Sequence, residues 1–188
     1  MVAVTSGRDE IELSMDDLRA VAGYAATCAE AVLSIFEQAY PSDARPREAV
    51  VAAWAFANGA RRTNLQRRAA VAAHRAAKDA TTAAAREAAR AAGHAAAAAY
   101  LHPLARPTQV THILGAAAYA LRASELAAGD GQRVGSQHVE RAARCAAPAV
   151  IEVLSRYPPP PRGGGRVGEL LREIHDTFRR RAPKNPDP

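Results

Sequence analysis

The side chains best able to do chemistry are six histidines and two cysteines, and their spacing decides what they could do. None of the histidines falls into the paired ligand patterns of known metal sites. There is no HExxH, no pair of ExxH segments and no CxxC. A site could still assemble across helices, as with His94 and His112, but a lone helical histidine is more often a surface or capped group, so no metal and no cofactor is expected. Cys28 and Cys145 sit inside apolar helical patterns, neither announces the electropositive, partly exposed setting of a nucleophile, and both read as reduced core thiols. No serine lies in a nucleophile elbow. Gly163-Gly-Gly165 follows a proline tract instead of joining a strand to a helix, which argues against a phosphate loop. Glu169 and Glu173 stand four apart beside arginines that would neutralise them. The nearest thing to an enzyme constellation is a pocket between the fourth and fifth helices built from His94, Tyr100, His112, Tyr119 and Arg122.

The strongest signal is charge. The net charge of +6 is uneven: residues 1–45 carry −5, residues 46–90 carry +6 and the remainder +5. The basic band includes Arg61, Arg62, Arg67, Arg68 and Arg90, with His74 and His94 as neighbours. Arginine presents a planar fork of donors suited to carboxylate or phosphate. The band lacks the interleaved aromatics or helix-turn-helix of a nucleic-acid binder, so a nucleic-acid partner is the weaker alternative to a protein one.

Positioning these groups falls to helices. The chain has 188 residues, of which 48 are alanine and 5% aromatic, a composition that favours one all-α, alanine-rich bundle of six to seven helices. Ser14, with Asp16 and Asp17, starts the first helix, and Leu18, Val21, Ala25, Ala29, Val32 and Phe36 form its inner face. A second helix runs from about Arg47 to Asn58, with Gly59 as its stop. Thr63 caps a third, whose stripe is Leu65, Ala69, Ala72, Ala73 and Ala76. The fourth runs from Thr81 or Thr82 to about His102, and the fifth from near Pro107 to Gly129. The sixth spans about Gln137 to Arg156, kinked or split by Pro148. The resulting organisation is an N-terminal arm over 1–13, a bundle over 14–157 and a Pro/Gly linker over 158–166. A C-terminal helix over 167–182 docks on the bundle, and 183–188 form a disordered tail. No run of strong apolar residues reaches bilayer length, and Met1–Arg8 lacks the layout of a secretory signal. The expectation is a soluble, cytoplasmic protein.

Several segments together carry a resemblance. Leu13–Val21, Ala44-Arg-Pro-Arg-Glu-Ala-Val50, Ala73-His-Arg-Ala-Ala77, Arg90–Ala98 around Gly93-His94, and His112–Ala120 around Gly115 resemble the type 5-like immunity proteins of bacterial polymorphic toxin systems, over about residues 10–176. The resemblance implies an intracellular all-α protein that binds and neutralises a cognate toxin, and it brings no catalytic residues. Occlusion needs only a rigid scaffold with a complementary charged face, and the basic band is the candidate face. Inhibitors of nucleases are often acidic, so a basic chain points to an acidic toxin surface or to the acidic N-terminal segment as the contact. The competing reading is a small-molecule enzyme of specialised metabolism using the His/Tyr/Arg pocket.

Overall fold

A core built largely of alanine gains little area per residue, so it must bring helix backbones close and bury many small side chains at once. The structure, a computed structural model, describes residues 10–129 and 131–181, without the side chains of 131–137. The arm residues 1–9 and the tail 183–188 therefore fall outside the described residues.

Among the described residues there are eight α-helices: α1 (Met15–Ala39), α2 (Arg45–Ala57), α3 (Asn64–Asp79), α4 (Ala83–Ala97), α5 (Val110–Ala128), α6 (Gly131–Arg144), α7 (Pro148–Ser155) and α8 (Gly165–Arg181). Short 3-10 turns occupy Ala98–Tyr100 and Pro107–Gln109. The described residues hold no strand, only an isolated bridge between Glu10 and Leu104. The described residues are thus all-helical, with eight helices rather than six or seven. The expected sixth helix is two, because Pro148 opens α7 and cannot donate the backbone bond that would continue α6. The fourth helix stops at Ala97 and tightens into a 3-10 turn ahead of Pro103, short of the expected His102.

Local sequence accounts for the ends. Ser14 accepts from the Asp17 amide while the Asp17 carboxylate accepts from the Ser14 amide, a reciprocal capping box. Thr63 and Gln66 repeat the arrangement at α3. Gly129 ends α5 at φ 72°, the left-handed region that glycine enters without a Cβ penalty. Thr82 precedes α4 without a side-chain cap.

The central helix is α1, 25 residues long, packed on α2, α4, α5 and α7. By length and composition alone it is apolar enough to cross a bilayer. Its apolar face is spent inside the protein, where all six expected positions from Leu18 to Phe36 are buried. Cys28 is buried here as expected, whereas Cys145 is exposed just past the end of α6, so it is not a core thiol. Leu65 is also corrected: it is 56% exposed, because the inward side of α3 is made of Ala69, Ala70, Ala73, Ala76 and Ala77.

The C-terminal helix is tied down by charge as well as by apolar contact. Phe178 sits 5.7 Å from the Tyr24 ring. Glu125 of α5, 0% exposed, accepts from Arg122 at 2.7 Å and from Arg166 of α8 at 2.6 Å. Arg166 also reaches Glu169 and Glu173. Arg172 donates to the carbonyls of Pro161 and Gly163, which folds the proline and glycine segment over the start of α8. At the other end of the linker, Arg156 joins Asp17 of α1 to Glu152 of α7.

Removing Glu125 strips Arg122 of its carboxylate and leaves Arg166 with Glu169 and Glu173 alone. Glu125→Ala is expected to cost about 3–5 kcal/mol of stability, seen as a fall in Tm on the order of 10 °C for a chain this size. A Tm within about 1 °C of wild type would contradict the role given to this cluster.

Candidate functional site

The histidines of the basic band do not lie on its surface. His74 of α3 turns toward α4, and its ring stands edge-on to His94 at 5.2 Å and 85°. His94 in turn stacks on Tyr119 of α5 at 4.8 Å and 16°. Each imidazole is seated against a glycine of the next helix. A Cβ built on Gly93 would lie 2.8 Å from the His74 ring, and one on Gly115 would lie 2.8 Å from Nδ1 of His94. Both glycines therefore serve close approach, and the rings fill the space a methyl group would take. Arg90 closes the row, pairing with Glu87 at 2.9 Å and lying over Tyr119 at 5.8 Å.

Of the pocket candidates, His94 and Tyr119 meet ring on ring. Tyr100 points away, donating from its hydroxyl to the Thr63 carbonyl at 2.6 Å. Arg122 is engaged by Glu125. His112 is partly buried, and its Nδ1 has no hydrogen-bond partner among the described residues. Tyr119 edges a small cavity of about 170 Å³ beside the glycine segment 163–165. Burial pushes the Cys28 thiol up to about 12, far from a nucleophile's range. Among the described residues, no group of three or more His, Cys, Asp or Glu side chains is placed to hold a metal.

The arginines behave differently. Arg61, Arg62, Arg67 and Arg68 are all exposed at the start of α3 and the turn before it. Arg62 and Arg67 are held over the Tyr100 ring at 5.7 and 4.9 Å, and Arg62 also donates to the Ala99 carbonyl. Gln66, 1% exposed, links this turn to α2 by donating to the Ala52 carbonyl. Arg61, Arg68 and Arg75 make no ion pair among the described residues, whereas Arg45 and Arg47 are taken by Asp43, Asp79 and Glu37.

Between α2 and α3 lies an open groove of about 1090 Å³. Its lining includes Val51, Leu65, Val71, Arg67, Arg68 and Arg75. Nothing in the periodicity of either helix announced it, because the groove is formed by residues that α2 and α3 turn away from the core.

The buried row of rings sets a pH dependence. Burial holds His74, His94 and His112 below the ordinary histidine value, with the neighbouring Arg90 and Lys78 adding to the effect at His74. His94 falls to about 3. The unfolded chain takes up a proton near 6.5, whereas the folded site refuses it until much lower pH. Stability is therefore complete above about pH 6.5 and falls as acid is added, by about 2 kcal/mol at pH 5 from His94 alone. His94→Asn should shrink the loss measured between pH 7 and pH 5 by about that amount in denaturant titrations; an unchanged loss would show that His94 is not excluded from protonation. For the glycines, Gly93→Ala gains about 1 kcal/mol of helix propensity but must displace the His74 ring, at about 1–3 kcal/mol. It should destabilise the wild type and stabilise a His74→Ala background. The same sign in both backgrounds would refute the fit.

No curated protein and no solved structure matches this chain. Among protein families, residues 12–148 match the one described as Imm-5 like putative immunity protein, a narrower span than the expected 10–176 that leaves most of α7 and all of α8 beyond it. The match holds all of α1 to α6, with the ring row, the arginine turn and the groove inside it, and so the chain belongs to the Imm-5 like immunity protein family.

Proposed function

We propose that this chain neutralises a protein toxin by binding and covering it, without a chemical step of its own. Family membership implies a toxin partner in general. The observation that carries the binding face is the contrast between spent and unspent arginines. Arg90, Arg122, Arg156 and Arg166 are consumed by internal carboxylates, while Arg61 and Arg68 stand exposed without one among the described residues. Arg62 and Arg67 share that face and are steadied by Tyr100, so little side-chain freedom is lost on docking. His74, Arg90 and His94 belong to the same reading as supports, since they fix α3 against α4 and α5 and hold the face rigid. His74, His94 and Tyr119, which could do acid–base chemistry, are occupied in packing, which favours occlusion over catalysis. A cation face of this kind suits an acidic surface on the toxin.

The test is co-expression in bacteria with a toxin domain encoded beside this chain's gene. Growth should be restored and the two chains should purify together. Arg67→Glu with Arg68→Glu should weaken the complex by about tenfold or more at low salt, less at high salt, with the helical circular dichroism signal unchanged. Affinity equal to wild type would reject this face, and growth arrest unaffected by co-expression would reject the function.

A further inference from the structure

Five large hydrophobic side chains are exposed among the described residues: Met15, Val51, Leu65, Val71 and Leu104. Three of them, Val51 at 60%, Leu65 at 56% and Val71 at 45%, line the one groove between α2 and α3. Scattered exposed aliphatics need no explanation, but their concentration in a concave strip marks an interaction surface. The polar lining is one-sided. Four arginines, Arg47, Arg67, Arg68 and Arg75, face a single carboxylate, Glu48. Arg47 is already paired with Glu37, which leaves the positive excess on the α3 wall.

The walls are two helices of 13 and 16 residues, about 20 and 24 Å long. A trough of that length with an apolar floor has the form that receives a third helix, anchored by side chains at i, i+4 and i+7. A basic helix would be repelled by the α3 wall. A purely apolar one would leave the exposed guanidinium groups beside hydrocarbon with no partner. From this geometry we infer that the α2–α3 groove takes an acidic amphipathic helix of the protein partner, its aliphatic stripe on Val51, Leu65 and Val71 and its carboxylates on Arg67, Arg68 and Arg75. The inference rests on the toxin-binding reading and names the chemistry of the segment that the toxin contributes.

The full-length chain can be probed directly with two fluorescent synthetic peptides of about 18 residues, roughly 27 Å of helix. They share one leucine stripe and differ only in flanking residues, Glu in one and Lys in the other. Fluorescence anisotropy should show the Glu peptide binding about tenfold or more tighter than the Lys peptide. Leu65→Ser with Val71→Ser should weaken the Glu peptide by about tenfold, while Arg179→Glu, exposed on α8 and outside the groove, should leave it close to wild type. Because Leu65 and Val71 are exposed, the double variant should keep its Tm, which confirms that it folds. Equal binding of the two peptides, no binding of either at about 100 μM (weaker than roughly −5.5 kcal/mol), or an unaffected double variant would each overturn the inference. So would light scattering showing a dimer of this chain that the double variant dissolves, since a second copy would then be the occupant. The toxin supplies an independent arm. Capture that survives Leu65→Ser with Val71→Ser sinks the groove assignment and spares the function, whereas failed capture sinks the function while the peptides still judge the groove.

Discussion

An imidazole resting on a glycine sets the geometry of this protein. In an alanine interior few side chains are large enough to fix the distance between helices, and a sheet of methyl groups can slide. The rings of His74 and His94 remove that freedom, because each fits only where the facing helix lacks a Cβ, at Gly93 and at Gly115. Tyr119 completes the row. The contact is specific in register: one residue along α4 or α5 there is alanine or a larger side chain, and the ring would collide. The cost is two imidazoles whose pKa burial holds below the ordinary histidine value, and the return is a fixed stack of α3, α4 and α5.

From that stack follows the division of the charges. Arginines on the far side are drawn into carboxylates, most tightly around the fully buried Glu125, where they hold α8 to the bundle. Those on the outer face of α3 find few partners. The useful quantity is thus which guanidinium groups remain unpaired beside apolar surface, and Arg67, Arg68 and Arg75 do so along the aliphatic strip of the α2–α3 groove. A rigid wall carrying free cations and exposed aliphatics suits recognition by coverage. Three of the five exposed large hydrophobic side chains of the described residues lie there.

Much of the fold was legible in the residues. Ser14, Thr63 and Gly129 announce their helix ends by local hydrogen bonding and backbone preference, and the inner face of α1 follows from spacing alone. The errors share a cause. Leu65 reads as core because it is the largest apolar residue of α3, yet the helix turns its alanines inward, where only small groups permit the approach to α4. Cys145 reads as core because alanines surround it in sequence, but it lies past the last turn of α6. His74 and His94 read as part of a basic face because they neighbour arginines along the chain. Their true partners, two glycines and a tyrosine, lie on other helices, and no periodicity within one helix reports a contact between helices. The segments that carry the family resemblance around His74, Gly93-His94 and Gly115–Tyr119 are the ones that meet in this row, which gives that likeness a physical content.

The most direct measurement is hydrogen–deuterium exchange of the chain alone and in complex with the toxin proposed as its partner. Coverage by the outer α2–α3 face predicts new protection of amides in Arg45–Ala57 and Asn64–Asp79, with Gly165–Arg181 unchanged. Protection confined to α8 or to the acidic start of α1 would contradict that account.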